Sequence, residues 1–96
     1  MARRLFTVEN TFVISGRGLV TLPGIVPEGD ELFRVGDTLR LRRPDGSEIL
    51  AKIDGLELMI PNPDHEVVVL FNHLTKENVP AGTEIWSIDS PTRRDH

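Results

Sequence analysis

Short apolar runs with a period of two, each ending at a turn signal, most constrain what this 96-residue chain can fold into. Such runs are typical of strands with one buried face, whereas an amphipathic helix needs an apolar stripe with a period of 3.6. No long window of the chain shows that helical stripe. Recurring short strands with frequent turns are typical of small sandwiches and barrels, so we predict an all-β protein.

Four apolar residues near the N-terminus share one parity and predict a single strand with one buried face: Phe6, Val8, Phe12 and Ile14. Asn10 lies on the same parity and marks a bend or bulge in that strand. By this alternation Phe6, Phe12 and Phe71 are all expected in the core.

Residues 19–26 predict a second strand that is interrupted at Pro23-Gly24. A proline lacks the N–H for a ladder bond, so this point is either a sheet edge or a bulge. An edge at Pro23 would offer pairing to a second copy, or the proline would block it, so the oligomeric state stays open. Val67–Phe71 is apolar at every position, which predicts a central strand buried on both faces.

Pro44-Asp45-Gly46 predicts a β-hairpin with a three-residue loop, a type I turn followed by a glycine bulge. This loop pairs Arg43 with Ser47, and it keeps apolar residues opposite apolar residues. One face then carries the aliphatic side chains Leu39, Leu41, Ile49, Ala51 and Ile53, and the other carries Arg40, Arg42, Glu48 and Leu50. Arg40 and Arg42 therefore form a basic stripe on the outer face.

Composition excludes several classes of protein. The chain has no cysteine, which rules out disulfides, thiolate zinc sites and a cysteine nucleophile. No apolar run has the ~20 residues of a membrane helix, and the N-terminus has no apolar segment typical of a secretory signal. We expect a single domain over residues 5–90 with flexible tails at 1–4 and 91–96, located in the cytoplasm.

Charge is distributed unevenly between the body and the tails. The net charge is −4, but Arg3, Arg4, Arg93 and Arg94 lie in the tails. Residues 5–91 hold 7 basic and 14 acidic side chains, a balance of −7. Nonspecific nucleic-acid binding depends on Lys and Arg that neutralise phosphates, so an acidic body disfavours it.

An apolar strand enters a Gly-Arg-Gly turn and a second apolar strand leaves it, over residues 14–21. Together with residues 34–41 (RVGDTLRL) and the run Val67–Phe71 followed by KENV and GTEI, this pattern resembles the second domain of elongation factor Tu-like translation GTPases. The resemblance covers residues 6–88. It implies a closed, mostly antiparallel β-barrel of six or seven strands with Greek-key connections.

The chain departs from that family in two respects. It has no phosphate-binding G-x-x-x-x-G-K-[ST] loop, so no nucleotide is expected. Asn72 and His73 stand where elongation factor Tu has Arg-Gly, near its pocket for the aminoacyl end of tRNA. The resemblance therefore marks Asn72 and His73 as candidate binding residues, with a loss of positive charge.

Other candidate binding residues each have a structural alternative. Arg17 can bind a phosphate or carboxylate, or it pairs with a carboxylate of the domain itself. Arg40 and Arg42 contact an anion or a partner, or they form a solvated face. Phe33, beside Leu32, belongs to a hydrophobic loop tip that docks a partner, or it folds back as a plug.

No set of residues predicts catalysis, a metal or a cofactor. The serines have strand or turn explanations, and neighbouring residues in Asp64-His65-Glu66 point to opposite faces of a strand. An enzymatic or small-molecule barrel would need a pocket that no sequence feature predicts. We expect a non-catalytic module that docks a protein partner. The alternative is an RNA- or ribosome-contacting accessory factor that uses Arg17, the Arg40/Arg42 stripe and the basic tails.

Overall fold

The computed structural model describes residues 2–29, 31–58 and 65–88. Asp64 and the predicted tail at 91–96 lie outside these ranges. Strands are the regular elements of the described residues, which confirms the all-β class. Eight are present: β1 (Arg4–Thr7), β2 (Asn10–Ile14), β3 (Gly18–Ile25), β4 (Thr38–Arg42), β5 (Glu48–Lys52), β6 (Gly55–Leu58), β7 (Val67–Phe71) and β8 (Glu84–Trp86).

These strands form two four-stranded sheets in which every pairing is antiparallel. Sheet A has the order β1-β8-β4-β5, and sheet B has the order β2-β3-β7-β6. Neither sheet is closed on itself, so the described residues show two sheets where the resemblance implied one barrel of six or seven strands. One extra strand arises because the predicted strand from Phe6 to Ile14 changes sheets partway along.

The first predicted strand divides at Val8 and Glu9. The Val8 N–H donates to the Thr83 carbonyl at 2.8 Å, next to β8, and the Glu9 N–H donates to the Leu22 carbonyl at 2.8 Å, on β3. The chain therefore leaves sheet A and enters sheet B at this point. The bend or bulge predicted at Asn10 is therefore present, at the two preceding residues.

This change of sheet reverses the burial pattern. Phe6 is 9% exposed, but Phe12 is 51% and Ile14 is 40% exposed. The prediction that Phe12 and Ile14 face the core is wrong, because β2 pairs Thr11 with Thr21 and Val13 with Leu19 on the core side. Alternation gives the correct face only while a strand remains in one sheet.

Strand β7 is central and buried on both faces, as predicted. It lies between β3 and β6. Val69 and Phe71 enter the main core between the sheets, while Val68 and Leu70 pack with Val20 in a second cluster on the opposite face. Alternate residues of β7 therefore belong to apolar clusters on the two faces of sheet B.

The interruption at Pro23 is a bulge. The register of β3 against β7 shifts between Thr21 and Ile25, and β3 lies between β2 and β7. The alternative prediction of a sheet edge at Pro23 is therefore wrong. The free edge belongs to the neighbouring strand, β2.

The hairpin between β4 and β5 has the predicted register. The Arg43 N–H donates to the Ser47 carbonyl at 2.8 Å, and the Gly46 N–H donates to the Arg43 carbonyl at 2.9 Å. Gly46 has a φ of 91°, the left-handed conformation of the glycine bulge. The aliphatic face packs into the core as expected, with Leu39, Leu41, Ala51 and Ile53 buried.

Glycine is required at the Gly-Arg-Gly turn for two different reasons. Gly16 has a φ of 80° and Gly18 a φ of 116°, both unfavourable for other residues. A Cβ at Gly16 would meet open space, but one at Gly18 would lie 2.5 Å from the Cα of Asn72 and 2.7 Å from the Phe71 carbonyl oxygen. Gly18 therefore lets the β2–β3 turn approach the end of β7.

This difference predicts unequal costs for the two alanine substitutions. Gly16→Ala adds only backbone strain, about 1–2 kcal/mol. Gly18→Ala adds that strain and a clash with backbone atoms, and we expect a loss of about 3–5 kcal/mol in the free energy of unfolding. Urea denaturation of both variants checks this, and equal losses would contradict the close approach of Gly18 to β7.

Candidate functional site

The predicted basic stripe lies on the outer face of sheet A and includes more than Arg40 and Arg42. The strand register aligns Arg4, Trp86, Arg40 and Leu50 in one row across the sheet. Lys52, which pairs with Thr38, lies on the same face. We call Arg4, Arg40, Arg42 and Lys52 the basic face. Two carboxylates, Glu48 and Glu84, share this side of the sheet, so cations outnumber carboxylates by four to two.

Arg40 and Trp86 form the centre of the basic face. The Arg40 Cζ lies 5.9 Å from the centroid of the Trp86 ring, within the range of a cation–π contact. The Arg40 Nε is buried and has no hydrogen-bond partner in the described ranges. The indole N–H donates to Glu84 at 3.0 Å, and Arg4 lies 3.8 Å from the same carboxylate. Trp86 therefore lies between two arginines on the neighbouring strands, and Arg40 contacts its ring.

Arg42 is held more loosely. Its Nε lies 4.0 Å from Glu48, and both side chains are about half exposed. An exposed pair at this distance stabilises the fold by about 0–1 kcal/mol. Arg42 therefore remains accessible to an anion or to a carboxylate of a partner.

An open cleft of about 440 Å³ adjoins the basic face at β5. It is lined by Thr38, Leu50, Ala51, Lys52, Asp54 and His73. Leu50 is 64% exposed and gives the cleft an apolar wall. His73, predicted as a binding residue, is therefore close to the basic face, a proximity for which the sequence holds no signal.

Asp54 positions His73 in this cleft. Its Oδ2 accepts hydrogen bonds from the Asn72 backbone N–H at 2.8 Å and from His73 Nδ1 at 3.0 Å. Because Asp54 occupies Nδ1, Nε2 is the ring nitrogen of His73 that is left for a ligand. Asn72, the other predicted residue of this pair, contributes its backbone N–H to the same carboxylate. The contact joins residues 18 and 19 positions apart in the chain, and no local sequence signal predicted it.

Arg17 lies apart from these residues, on the outer face of sheet B. Its guanidinium forms an ion pair with Glu57 on β6. Since Glu57 pairs with Val68 and β7 lies between the turn and β6, this ion pair crosses the outer face of β7. The alternative in which Arg17 pairs with a carboxylate of the domain is confirmed, although 53% of its side chain is exposed.

Phe33 and Leu32 point to different environments. Phe33 is partly buried and packs against the main core, so the structure favours the plug over the docking tip for this residue. Leu32 is 71% and Val35 is 62% exposed in the same loop. Phe33 therefore contributes to stability, and only its neighbours are accessible to a partner.

Arg3 fastens this loop to the first strand. Its guanidinium makes two hydrogen bonds to Glu31, at 2.9 and 2.7 Å. The hydrogen bond from Arg3 is the main cause that lowers the pKa of Glu31, against a smaller opposing effect of burial. Arg4 belongs to β1, so Arg3 and Arg4, assigned from the sequence to a flexible tail, both take part in the fold.

Strand β2 has three consecutive exposed apolar residues, two of which, Phe12 and Ile14, were predicted to lie in the core. Phe12, Val13 and Ile14 are 51%, 65% and 40% exposed, and β2 is an edge of sheet B. We call residues 10–14 the β2 edge. The available signal was the absence of any charged residue between Glu9 and Arg17, which leaves an edge strand unprotected.

The described ranges contain no group of three or more histidine, aspartate or glutamate residues that could hold a metal ion. Within the same ranges no helix is long and apolar enough to cross a membrane. No family model, curated protein or solved structure matches the chain.

The Arg3–Glu31 pair predicts a pH-dependent contribution to stability. A carboxyl group whose pKa is lowered by folding stabilises the protein at pH values above its unfolded-state pKa. This stabilisation is lost as the pH falls through the folded-state pKa. We expect Glu31→Gln to cost about 1 kcal/mol at pH 7, and this difference from the wild type to disappear in acid below the lowered pKa of Glu31.

Urea denaturation as a function of pH measures this difference. Glu28→Gln is the matched control, because Glu28 lies 3.6 Å from Arg3 and is 71% exposed. An equal and pH-independent loss in both variants would contradict the role of Glu31.

Proposed function

We propose that the chain is a non-catalytic binding module with a translation-factor-like barrel, and that the β2 edge docks a protein partner. The observation that carries the proposal is the exposure of three consecutive apolar side chains on an edge strand: Phe12, Val13 and Ile14. Phe12 and Ile14 are exposed on the outer face and Val13 on the opposite side of the same strand, so the whole edge is apolar. Exposed apolar surface on soluble proteins often marks an interaction site. An edge strand also offers unpaired N–H and C=O groups to an incoming chain.

The barrel is supported by the two corners where the chain changes sheet. At the first, Val8 and Glu9 bond to different sheets. At the second, the Ile53 N–H donates to the Asp37 carbonyl at 2.8 Å, and the Asp54 N–H donates to the Leu70 carbonyl at 2.9 Å. With β1–β2 and β5–β6 each taken as one bent strand, the pairings run in a circuit of six strands. This circuit supports the proposal of the closed antiparallel arrangement that the resemblance implies.

The absence of catalysis is proposed on the contacts of the one histidine in the cleft. His73 is oriented by Asp54, as a general base requires, but a nucleophile must also lie within hydrogen-bond reach of the base. In the described part of the chain, no serine or threonine hydroxyl bonds to His73. The contacts of Asp54 with Asn72 and His73 instead fix the end of the loop beside the cleft. A cytoplasmic location stays a prediction.

Site-specific photo-crosslinking tests the docking proposal. A photoreactive amino acid at Val13 is expected to form an adduct with a protein in the native extract, and the same amino acid at Leu50 is not. The two positions are matched, since the side chains are 65% and 64% exposed on edge strands of different sheets. The captured protein, once purified, should bind the chain and lose about tenfold or more in affinity on Val13→Lys.

A protein that binds Val13→Lys and the unmodified chain equally would contradict docking at the β2 edge. Absence of any adduct at Val13 would contradict the proposal as a whole.

The basic face favours a second candidate function, contact with RNA. An aromatic ring between two arginines, with Lys52 and Arg42 nearby, combines base stacking with phosphate neutralisation. The surplus of cations on this face contrasts with the acidic body of the chain. Among the described residues of this face, Trp86 is the single aromatic side chain, so one base would stack there.

Binding of a fluorescent single-stranded RNA tests this candidate. If RNA is the ligand, Arg40→Gln with Lys52→Gln should weaken binding about tenfold or more at low salt and reduce the dependence on salt concentration. Lys76→Gln combined with Arg34→Gln, at two exposed positions outside the basic face, is the charge-matched control and should have little effect. No binding by the wild type at low salt would remove RNA as a candidate.

A further inference from the structure

The open cleft at β5 lies where the chain passes from sheet A to sheet B. The Ile53 N–H donates to the Asp37 carbonyl, beside β4, and the next N–H, that of Asp54, donates to the Leu70 carbonyl on β7. His73, which follows β7, lines the same cleft, so both sheets contribute to it. Its volume of about 440 Å³ falls within the ~300–1,000 Å³ of pockets that hold small molecules.

Lys52 gives this cleft a positive charge without a partner. Its side chain is exposed and forms no hydrogen bond or ion pair with the described residues. Arg4 and Arg42 of the basic face, by contrast, lie 3.8 and 4.0 Å from a glutamate. Thr38, paired with Lys52 in the register, adds a hydroxyl group to the lining of the cleft. An ammonium group is a compact charge that attracts an anion, so an anionic ligand fits this position.

An apolar wall and a carboxylate restrict which anion the cleft can hold. Leu50 lies two residues before Lys52 on the same face of β5 and is 64% exposed. A ligand that packs against Leu50 removes apolar surface from water, which favours binding. Asp54 also lines the cleft and adds a negative charge. Because like charges repel, a ligand with one negative charge and an apolar part fits better than a dianion.

We propose that the cleft binds a small organic monocarboxylate. The carboxylate pairs with the ammonium group of Lys52, and the hydrocarbon part packs against Leu50. Nε2 of His73 is left for a further polar atom of the ligand, because Asp54 occupies Nδ1. This site is separate from the β2 edge and adds small-molecule binding to the proposed docking. Since the cleft is open to solvent, we expect a Kd of about 0.1–1 mM.

Titrations followed by ¹H–¹⁵N NMR spectra test the ligand class. Hexanoate is the probe, acetate lacks its hydrocarbon part, and hexanol lacks its charge. Hexanoate should shift the amide signals of residues 50–54 and 73 with the expected Kd, and acetate and hexanol should each bind at least about fivefold more weakly. Hexyl phosphate, a dianion at about pH 8, should bind no more tightly than hexanoate. Tighter binding of hexyl phosphate would overturn the assignment to monocarboxylates.

Substitutions at Lys52 and Leu50 test the two halves of the site. Lys52→Gln should weaken hexanoate binding at least about fivefold, while Lys76→Gln, the same change at an exposed position outside the cleft, should leave it unchanged. Leu50→Gln should weaken hexanoate binding about fivefold and leave acetate binding unchanged. The signals of residues distant from the cleft show whether each variant folds. Equal effects of Lys52→Gln and Lys76→Gln would overturn the pairing with Lys52.

The position of the shifts decides the proposal as a whole. Shifts confined to the β2 edge, or no shift at residues 50–54 and 73 up to about 10 mM hexanoate, would overturn it. A protein adduct from the photoreactive amino acid at Leu50 would also overturn it, because a protein and not a small molecule would then occupy the cleft. Each of these failures leaves docking at the β2 edge intact, since that docking is tested at Val13.

Discussion

The double burial of β7 is the constraint on which the rest of the structure depends. Its alternate residues supply Val69 and Phe71 to the core between the sheets, and Val68 and Leu70 to the second cluster outside. A strand without polar side chains needs neighbours on both edges and cover on both faces. β3 and β6 provide the edges, and the close approach of Gly18 to Asn72 brings the β2–β3 hairpin into place. The position of β2 at the outside of sheet B follows from this arrangement.

Local sequence signals predicted the parts of the fold whose determinants are local. The hairpin register follows from Pro44-Asp45-Gly46, and the central place of β7 follows from five consecutive apolar residues. The exposure of Phe12 could not be predicted in this way, because its cause is a change of sheet at Val8 and Glu9. That change is fixed by partners distant in the chain, the carbonyls of Thr83 and Leu22. The alternation of apolar and polar residues does not indicate the residue at which a strand changes from one partner strand to another.

The candidate surfaces show the same division. The shared face of Arg40 and Arg42 was predicted, since it depends only on alternation along β4. The alignment of Trp86 with Arg40 and the approach of His73 to Lys52 depend on which strands become neighbours. Pairing of Arg17 with a carboxylate of the domain was one of two alternatives, and the identity of that carboxylate, Glu57 on β6, required the sheet order. Residue types predict which chemical groups a site can contain. They do not predict which distant strands bring those groups close together.

An unprotected edge strand carries a cost that bears on function. Exposed apolar residues with free backbone groups promote uncontrolled association, and natural sheets usually place charges there. A single lysine at Val13 or Thr11 would remove the hazard without a buried contact to lose, since Val13 is 65% exposed. The other three edges of this molecule carry charges of that kind. The difference between β2 and those edges is explained if β2 normally pairs with a partner. The free backbone groups and apolar side chains of this strand would bind that partner.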